Sequence, residues 1–337
     1  MATVSIVVPC YNEQETISKL LFAIYAQTFQ RAELEVIIAD GLSADQTRKR
    51  ITEFQRAHQD LLIRVIENPS RKIPVGLNLA IGTSQSEFIL RLDAHCVPRP
   101  DYVTRSIEDL KAGKGWNVGG VWDIQPGSSS WIAKSIAVAA AHPLGVGDAL
   151  YRYTDHASEV DTVPFGAFRR SLIEQIGGFD ETLETNEDYE FNARIRRAGG
   201  HIWLDPAIRS IYYARPTLGA LALQYARYGY WKVRMLRKYP QTIRLRQAIP
   251  PLFVLSLVFL ALLSLWMPAQ ILLKIQVVSY AALLIFAAVL KAFQQRQASL
   301  VIGIPLAMII MHISWGAAFL GSLLTIGADR QKTQTNG

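Results

Sequence analysis

Hydrophobic and polar positions alternate in blocks along the N-terminal part of the chain. Four short apolar runs, rich in valine and isoleucine, stop at a proline or a polar residue, and they cover 4–9, 35–39, 62–66 and 88–92. Amphipathic patterns with a helical period separate them, over 13–28, up to residue 59 and over 75–83. Strands and helices that alternate at this spacing predict an α/β fold with a parallel, doubly wound sheet. In such sheets a ligand binds beyond the carboxyl ends of the strands.

Four polar residues follow the ends of these predicted strands: Asn12, Asp40, Asn68 and Asp93. Each of them alone has an ordinary explanation, because Asn and Asp are common in turns and at helix starts, where Asn12 is a plausible N-cap. The carboxyl ends of parallel strands, however, meet at one edge of the sheet. Four polar residues on that edge indicate a binding site better than they indicate four unrelated turns.

Asp93 and His95 stand two residues apart at the end of the fourth apolar run. Side chains at i and i+2 of an extended chain point to the same side, so this carboxylate and imidazole can together bind one Mn²⁺ or Mg²⁺. A turn residue is the alternative for Asp93. Arg71 and Lys72 follow the third run, where they either lie in a solvated loop or attract a diphosphate.

Charge divides the chain near residue 205. Residues 1–205 carry 21 Lys and Arg against 27 Asp and Glu, whereas residues 206–328 carry 12 basic residues and no acidic one. The net charge of +7 therefore belongs to the second part and suits an anionic membrane surface or phosphate groups better than nucleic acid. Cys10 and Cys96 have no metal-type spacing, which predicts buried thiols in a reducing compartment.

Three long apolar stretches follow residue 246 and predict membrane helices near 250–268, 272–290 and 299–324. The middle stretch is short for a span of about 20 residues, so a buried helix pair is its alternative. Between 217 and 239, aromatic and basic residues interleave, which predicts an interfacial helix on anionic lipid rather than a solvated one. The Ala-rich segment 131–142 is too short to span, and we expect a core helix there, with an interfacial helix as the alternative.

The basic residues before the first predicted span place its start on the cytoplasmic side. The second span then returns Lys291 and Arg296 to the cytoplasm, and the third sends the tail outside. The N-terminus enters a strand directly and resembles no signal peptide, so we expect residues 1–205 to stay cytoplasmic.

A series of motifs runs through most of the chain in a fixed order, at 4–13, 40–45, 92–95, 118–120, 164–170, 177–181 and 186–188. Together they resemble glycosyltransferase family 2, which has the GT-A nucleotide-sugar fold, over residues 3–230. Within that family the likeness is strongest to the ExoA-type glucosyltransferases of bacterial succinoglycan (exopolysaccharide) assembly. One position departs from the pattern, because the family usually has Asp-x-Asp and His95 stands in the second place.

The resemblance implies roles for the matched residues. In the pair Glu187-Asp188, Asp188 matches the catalytic base, although acidic residues at a helix start also have a capping explanation. Such a base takes the proton of an acceptor hydroxyl while a cation at Asp93, with His95 as a second ligand, stabilises the leaving nucleotide. Direct displacement inverts the anomeric configuration. The expected donor-binding residues are Pro9, Tyr11, Asn12, Glu13, Asp40, Asn68, Arg71, Asp93, Gln224 and Arg227, the last two from a Gln-x-x-Arg-Trp motif in which Tyr228 replaces the tryptophan.

The resemblance and the patterns together predict a multi-pass enzyme of the bacterial inner membrane. We expect it to transfer a hexose, preferably glucose, from a UDP-sugar to a lipid-linked (polyprenyl diphosphate) saccharide. Other exopolysaccharide-assembly proteins are candidate partners. The expected domains are a GT-A domain at 1–215, an interfacial segment at 216–246, membrane helices at 247–328 and a polar tail at 329–337. One alternative is a processive polysaccharide synthase, for which three helices are few. The other is a non-catalytic nucleotide-sugar-binding component of an export complex, although both carboxylates are intact.

Overall fold

The computed structural model describes residues 2–334 of the chain, apart from the side chains of residue 241 and of residues 326–334. The chain divides into two compact units. The first consists of Met1–Asp123 and Leu150–Tyr212, and the second of Ile124–Ala149 and Tyr213–Gly337. The segment 124–149 thus groups with the C-terminal part, while the domain limits expected near 215, 246 and 328 remain a prediction. Of the polar tail predicted at 329–337, residues 329–334 continue the backbone of the last helix, and residues 335–337 lie outside the described residues.

A nine-stranded sheet forms the centre of the first unit. In chain order its strands are β1 (Val4–Cys10), β2 (Leu34–Asp40), β3 (Leu62–Glu67), β4 (Phe88–Arg91), β5 (Val97–Pro98), β6 (Asn117–Gln125), β7 (Ser158–Glu159), β8 (Ala167–Arg169) and β9 (Ile202–Tyr213). Across the sheet the order is β3-β2-β1-β4-β8-β6-β9-β5, and β7 pairs with β9.

Twelve α-helices lie in the described part of the chain. They are α1 (Ile17–Tyr25), α2 (Thr47–Ala57), α3 (Ile73–Thr83), α4 (Tyr102–Lys111), α5 (Trp131–Ala140), α6 (Pro143–Val146), α7 (Ser171–Ile176), α8 (Glu187–Arg197), α9 (Leu218–Lys238), α10 (Leu245–Leu262), α11 (Met267–Gln295) and α12 (Leu300–Gln334). The first unit contains α1 to α4, α7 and α8, and the second contains the other six.

The sheet is parallel in one half only. Strands β1 to β4 pair in parallel, as their alternation with helices predicts. Strand β8 then pairs antiparallel with both β4 and β6, so the sheet is mixed rather than wholly parallel. With three residues, β8 is too short to produce a recognisable strand pattern in the sequence.

Both faces of the sheet are covered by helices. Along β1, Ile6 and Val8 belong to one buried cluster together with residues of α1, α2 and α4, whereas Val7 belongs to a second cluster with residues of α3 and α8. Alternate strand residues point to opposite faces, which explains why β1 is an almost continuous apolar run. This three-layer arrangement confirms the predicted α/β class.

The second unit contains three helices that are long and apolar enough to cross a membrane: Leu245–Leu262, Met267–Gln295 and Leu300–Thr325. The first ends six residues earlier than predicted, and Pro268 lies in the first turn of α11, where its missing N–H costs nothing. The middle helix is longer than predicted and is no longer marginal. Helix α5 is largely buried, as expected of a core helix, and it packs on α12, where Gly303 lies against Ser135.

Candidate active site

The loops that follow β1 and β2 are hydrogen-bonded to each other at the carboxyl edge of the sheet. The N–H of Asn12 donates to Ser43 Oγ (2.9 Å), and Asn12 Oδ1 accepts from the N–H of Ala44 (2.9 Å). The N–H of Glu13 donates to Thr47 Oγ1 (2.8 Å). The expected N-cap role of Asn12 is therefore wrong, since α1 begins only at Ile17 and the Asn12 amide is used between loops.

The buried side chains of Asp40 and Asn68 stabilise the loops at this edge through hydrogen bonds. Asp40 is fully buried, and its carboxylate accepts from Ser43 and pairs with Arg48. Asn68 is also buried, where Nδ2 donates to the Lys72 carbonyl (2.9 Å) and Oδ1 accepts from a serine hydroxyl. Their polar atoms thus hold the edge loops in place, and a direct contact of either residue with a donor remains a prediction.

Several residues on this edge have a left-handed backbone that non-glycine residues rarely adopt. The values of φ are 54° at Asn12, 60° at Leu42, 58° at Arg71 and 71° at Asn186. At Leu42 and Arg71 such a backbone costs roughly 1–2 kcal/mol per residue, so the surrounding contacts must impose it, whereas asparagine adopts it more readily. Strained backbone of this kind concentrates at functional sites, and here it marks the loops after β1, β2 and β3 and the start of α8.

Tyr11 presents a partly exposed aromatic ring beside the Arg71 guanidinium, whose carbon lies 5.1 Å from the ring centre. Gly41 packs closely against the same ring, since a Cβ at this position would lie only 3.0 Å from a ring carbon of Tyr11. An aromatic ring next to a cation suits a nucleotide, since the base can stack and the phosphates are anionic. Pro9 lies in β1 opposite Ala39, at the root of this loop.

Arg91 is the centre of the polar cluster at the end of β4, and only 2% of its side chain is exposed. Its Nη2 donates to Asp93 Oδ1 (3.0 Å) and to Glu187 Oε1 (2.8 Å), and its Nη1 pairs with Asp188. One buried guanidinium therefore joins the turn after β4 to the first two residues of α8. Arg91 is missing from the residues predicted from the sequence, although a charge inside an apolar strand indicates buried partners.

The base expected from the family resemblance, Asp188, titrates far from its ordinary range. Burial, and then the nearby carboxylates of Glu187 and Asp93, raise the pKa of Asp188 to about 7 against the opposing effect of Arg91. Burial alone would lower the pKa of Arg91, but the three carboxylates raise it well above its usual value. A carboxylate with a pKa near neutrality, 26% exposed, is suited to accept a proton from a bound hydroxyl.

Asp93 and His95 do not lie on an extended strand, so the geometric premise of their pairing is wrong. Strand β4 ends at Arg91, and the Cys96 N–H donates to the Asp93 carbonyl (3.0 Å) in a tight turn. His95 Nδ1 instead lies 3.3 Å from Glu13 Oε1. Among the described residues, no group of three His, Cys, Asp or Glu side chains is arranged to hold a metal. A shared cation site at Asp93 and His95 remains a prediction.

Gln224 and Arg227 belong to α9, in the second unit. Gln224 Nε2 donates to the hydroxyl of Tyr228 (2.9 Å), the residue that replaces the family's tryptophan. Their part in donor binding remains a prediction. Cys10 and Cys96 are buried free thiols, as expected, and burial raises the pKa of both.

Family models match both parts of the chain. The model of glycosyl transferase family 2 matches residues 5–177, and the model of glycosyl transferase family 21 matches residues 159–326. The succinoglycan biosynthesis protein ExoA of Rhizobium meliloti (strain 1021) is 30% identical over 323 residues, which are 95% of this chain and 94% of that protein. This relative agrees with the resemblance seen in the sequence motifs.

Two further proteins extend the comparison. The dolichyl N-acetyl-alpha-D-glucosaminyl phosphate 3-beta-D-2,3-diacetamido-2,3-dideoxy-beta-D-glucuronosyltransferase of Methanococcus voltae is 30% identical over 245 residues, 71% of this chain and 75% of that protein. The structure of the mannosyltransferase PcManGT from Pyrobaculum calidifontis, in complex with GDP-Man and Mn²⁺, matches with a TM-score of 0.61 at 20% identity and covers 96% of this chain and 86% of that one. That likeness shows the fold. The chain therefore belongs to glycosyl transferase family 2.

Proposed function

We propose that the protein is a membrane-bound, inverting glycosyltransferase of exopolysaccharide biosynthesis. It transfers a hexose from a UDP-sugar to a lipid-linked saccharide, and glucose is the preferred candidate for this hexose. The observation that carries the proposal is the cluster in which Arg91 joins Asp93, Glu187 and Asp188 at the carboxyl edge of the sheet. The full-length likeness to ExoA supports a role in exopolysaccharide biosynthesis. The likeness to the dolichyl phosphate glucuronosyltransferase of Methanococcus voltae supports a lipid-linked acceptor.

Asp188 is the base in this proposal. It takes the proton of the acceptor hydroxyl as the oxygen forms a bond to the anomeric carbon of the sugar. The bond from that carbon to the diphosphate oxygen breaks on the opposite side, and the nucleotide leaves with the electron pair. A single displacement inverts the anomeric centre, so an α-linked donor gives a β-linked product. Glu187, bonded to Arg91, fixes the first turn of α8 and with it the direction of Asp188.

The residues at Asp93 fit a divalent cation that is shared with the donor. Asp93 meets Arg91 through Oδ1 and is 19% exposed, so its carboxylate can also reach a ligand in the site. Mg²⁺ and Mn²⁺ accept few protein ligands and complete their coordination with phosphate oxygens and water. An ion held there by Asp93, with His95 as a second ligand, would offset the charge on the departing diphosphate. The Mn²⁺ in the complex of the Pyrobaculum mannosyltransferase supports this proposal.

We place the donor nucleotide between the loops after β1 and β3. Tyr11 and Arg71 are the residues best suited to its base and phosphates, and Gln224 and Arg227 are candidates for donor binding by the family resemblance alone. The catalytic domain, residues 1–215, would face the cytoplasm, the segment 216–246 would lie on anionic lipid, and helices within 247–328 would cross the inner membrane. The sequence patterns and the three long apolar helices support this placement.

A product assay tests the proposed function. Membranes that contain the protein are incubated with a panel of UDP-sugars and with extracted lipid-linked acceptors, and the products are separated by length. We expect one sugar to be added, with the inverted anomeric configuration by NMR. A ladder of lengths would instead indicate the processive synthase, and nucleotide-sugar binding without any transfer would indicate the non-catalytic component.

A further inference from the structure

Arg91 is held in place by its backbone as well as by its side chain. Its N–H donates to the Gly166 carbonyl (3.1 Å), and the next residue, Leu92, donates to the Val7 carbonyl (3.1 Å). The neighbouring strands on both sides thus fix the end of β4. With the backbone fixed and the side chain buried, the guanidinium has little freedom to move away from its three carboxylates.

The three carboxylates come from two parts of the proposed site. Asp93 lies on the turn where we place the donor diphosphate, whereas Glu187 and Asp188 begin the helix that carries the base. The groups that act on Asp188 are the guanidinium from β4, the carboxylates of Asp93 and Glu187, and the Tyr102 hydroxyl from α4. Of these groups the guanidinium is the cation, and it is shared between both parts.

Sharing makes the two parts compete. Nη2 contacts both Asp93 and Glu187. A ligand that draws Asp93 away therefore allows the guanidinium to interact more strongly with the two carboxylates of α8. A cation with a diphosphate is such a competitor, because it binds the same carboxylate that Arg91 binds. Low exposure strengthens each of these interactions relative to water.

We propose that Arg91 is a positioning residue that couples donor binding at Asp93 to the orientation of the base Asp188. This inference rests on the proposed function and adds to it an order of events, in which the donor prepares the base for the acceptor. When Asp93 turns to the cation and diphosphate, the guanidinium closes on Glu187 and Asp188. Before the donor binds, the guanidinium is divided among all three carboxylates.

Arginine is required for this role. The guanidinium donates to Asp93 Oδ1 from Nε and Nη2, to Glu187 also from Nη2, and to Asp188 from Nη1. A lysine ammonium is a single point charge on a flexible chain. Arg91→Lys therefore keeps the charge but does not join the two parts of the site. This gives a variant that separates coupling from simple charge balance.

A double-mutant cycle on binding, not on activity, tests the coupling. The affinity for UDP in the presence of Mn²⁺ is measured by calorimetry for wild type, Arg91→Lys, Asp188→Asn and the double variant. We expect Asp188→Asn to weaken binding about fivefold in wild type, because the released guanidinium is then held more firmly by Asp93. In the Arg91→Lys background the same change should have an effect of less than about twofold. Equal effects in both backgrounds would overturn the coupling.

Asp161→Asn is the matched control. Asp161 bonds to the Tyr189 hydroxyl (2.9 Å) of the same helix, and its substitution should leave the affinity for UDP with Mn²⁺ unchanged. If Arg91→Lys fails to fold, as judged by its thermal unfolding, the comparison of Asp188→Asn with wild type still tests the proposal. An unchanged affinity of Asp188→Asn for UDP overturns it. Wild-type protein that binds no UDP with Mn²⁺ would contradict the proposed function itself. Wild-type binding and transfer with additive effects would contradict only the coupling.

Discussion

Single residues at the site are governed by what burial does to charge. A buried arginine needs partners, and Arg91 finds three carboxylates, which leaves a negative excess around one cation. Burial first, and then this excess, make the ionised form of Asp188 costly, so its pKa rises to about 7. The same contacts that stabilise Arg91 therefore tune the base.

The raised pKa of Asp188 predicts a pH dependence. A base acts only when ionised, so kcat/KM should be low below about pH 6, rise through a limb near pH 7 and level off above it. Rates measured with donor and acceptor from about pH 5.5 to about pH 8.5 check this. In Arg91→Lys the limb should move to higher pH, because the ammonium lacks the Nη1 group that pairs with Asp188 and therefore favours the ionised carboxylate less. A flat profile across the whole range would contradict the assignment of Asp188.

His95 supplies the second residue-scale prediction. If its imidazole is a cation ligand, His95→Ala should raise the Mn²⁺ concentration that gives half-maximal transfer by about tenfold. His201→Ala, a change at an exposed histidine paired with Glu159, is the control and should have no effect. An unaltered Mn²⁺ requirement in His95→Ala would show that His95 is not a cation ligand that transfer needs.

Sequence motifs placed Asp93 and Asp188 in one site, but they did not connect them. Arg91 connects them. The contact forms because the start of α8, almost a hundred positions further along the chain, packs against the end of β4. No local sequence pattern encodes such a contact. Asn12 shows the opposite case. Its residue type suits both a helix cap and a loop, and only the partner at Ala44 decides between them.

At the scale of elements, the hydrophobic pattern was informative where an apolar run was longer than the three residues of β8. Strands β1 to β4 and the helices between them follow directly from their apolar patterns. Strand β8 does not, because its three residues owe their conformation to pairing with β4 and β6. Helix α9 was expected from its pattern, yet its buried Lys232 was not, since the pattern does not show which face meets α12.

Helix α9 offers a pair of matched glycines. A Cβ at Gly229 would overlap the Trp315 carbonyl oxygen of α12, whereas a Cβ at Gly219 would meet nothing within 4 Å. Gly229→Ala should therefore force the helices apart and destabilise the unit by roughly 1–3 kcal/mol. Gly219→Ala should stabilise it by about 0.5–1 kcal/mol, because alanine favours the helix. Thermal unfolding in detergent measures both, and equal shifts would contradict the packing of α9 on α12.

At the scale of the whole molecule, the uneven charge and the apolar C-terminal part predicted a membrane protein, and the three long apolar helices agree. Composition could not show that residues 124–149 belong with the C-terminal part. That grouping depends on contacts such as the His312 Nε2 to the Leu144 carbonyl (2.9 Å), between residues far apart in the sequence. Local pattern carries no information about such pairs.

The proposed topology predicts opposite accessibility for the two turns of the membrane helices. Both native cysteines are buried, so a single introduced cysteine reports its own position. Leu265→Cys, between α10 and α11, should react with a membrane-impermeant maleimide added to spheroplasts. Gln297→Cys, between α11 and α12, should react only after the membrane is opened. Labelling of both from the same side would show that α11 does not cross.

The most direct test of the central claim is the turnover of Asp188→Asn. This substitution keeps the shape of the side chain but removes the base, so transfer should fall about 100- to 10,000-fold, while UDP still binds within about tenfold of the wild-type affinity. Asp60→Asn, at an exposed carboxylate paired with Arg31, should transfer at the wild-type rate. Turnover of Asp188→Asn within about twofold of wild type would contradict the claim that Asp188 is the base.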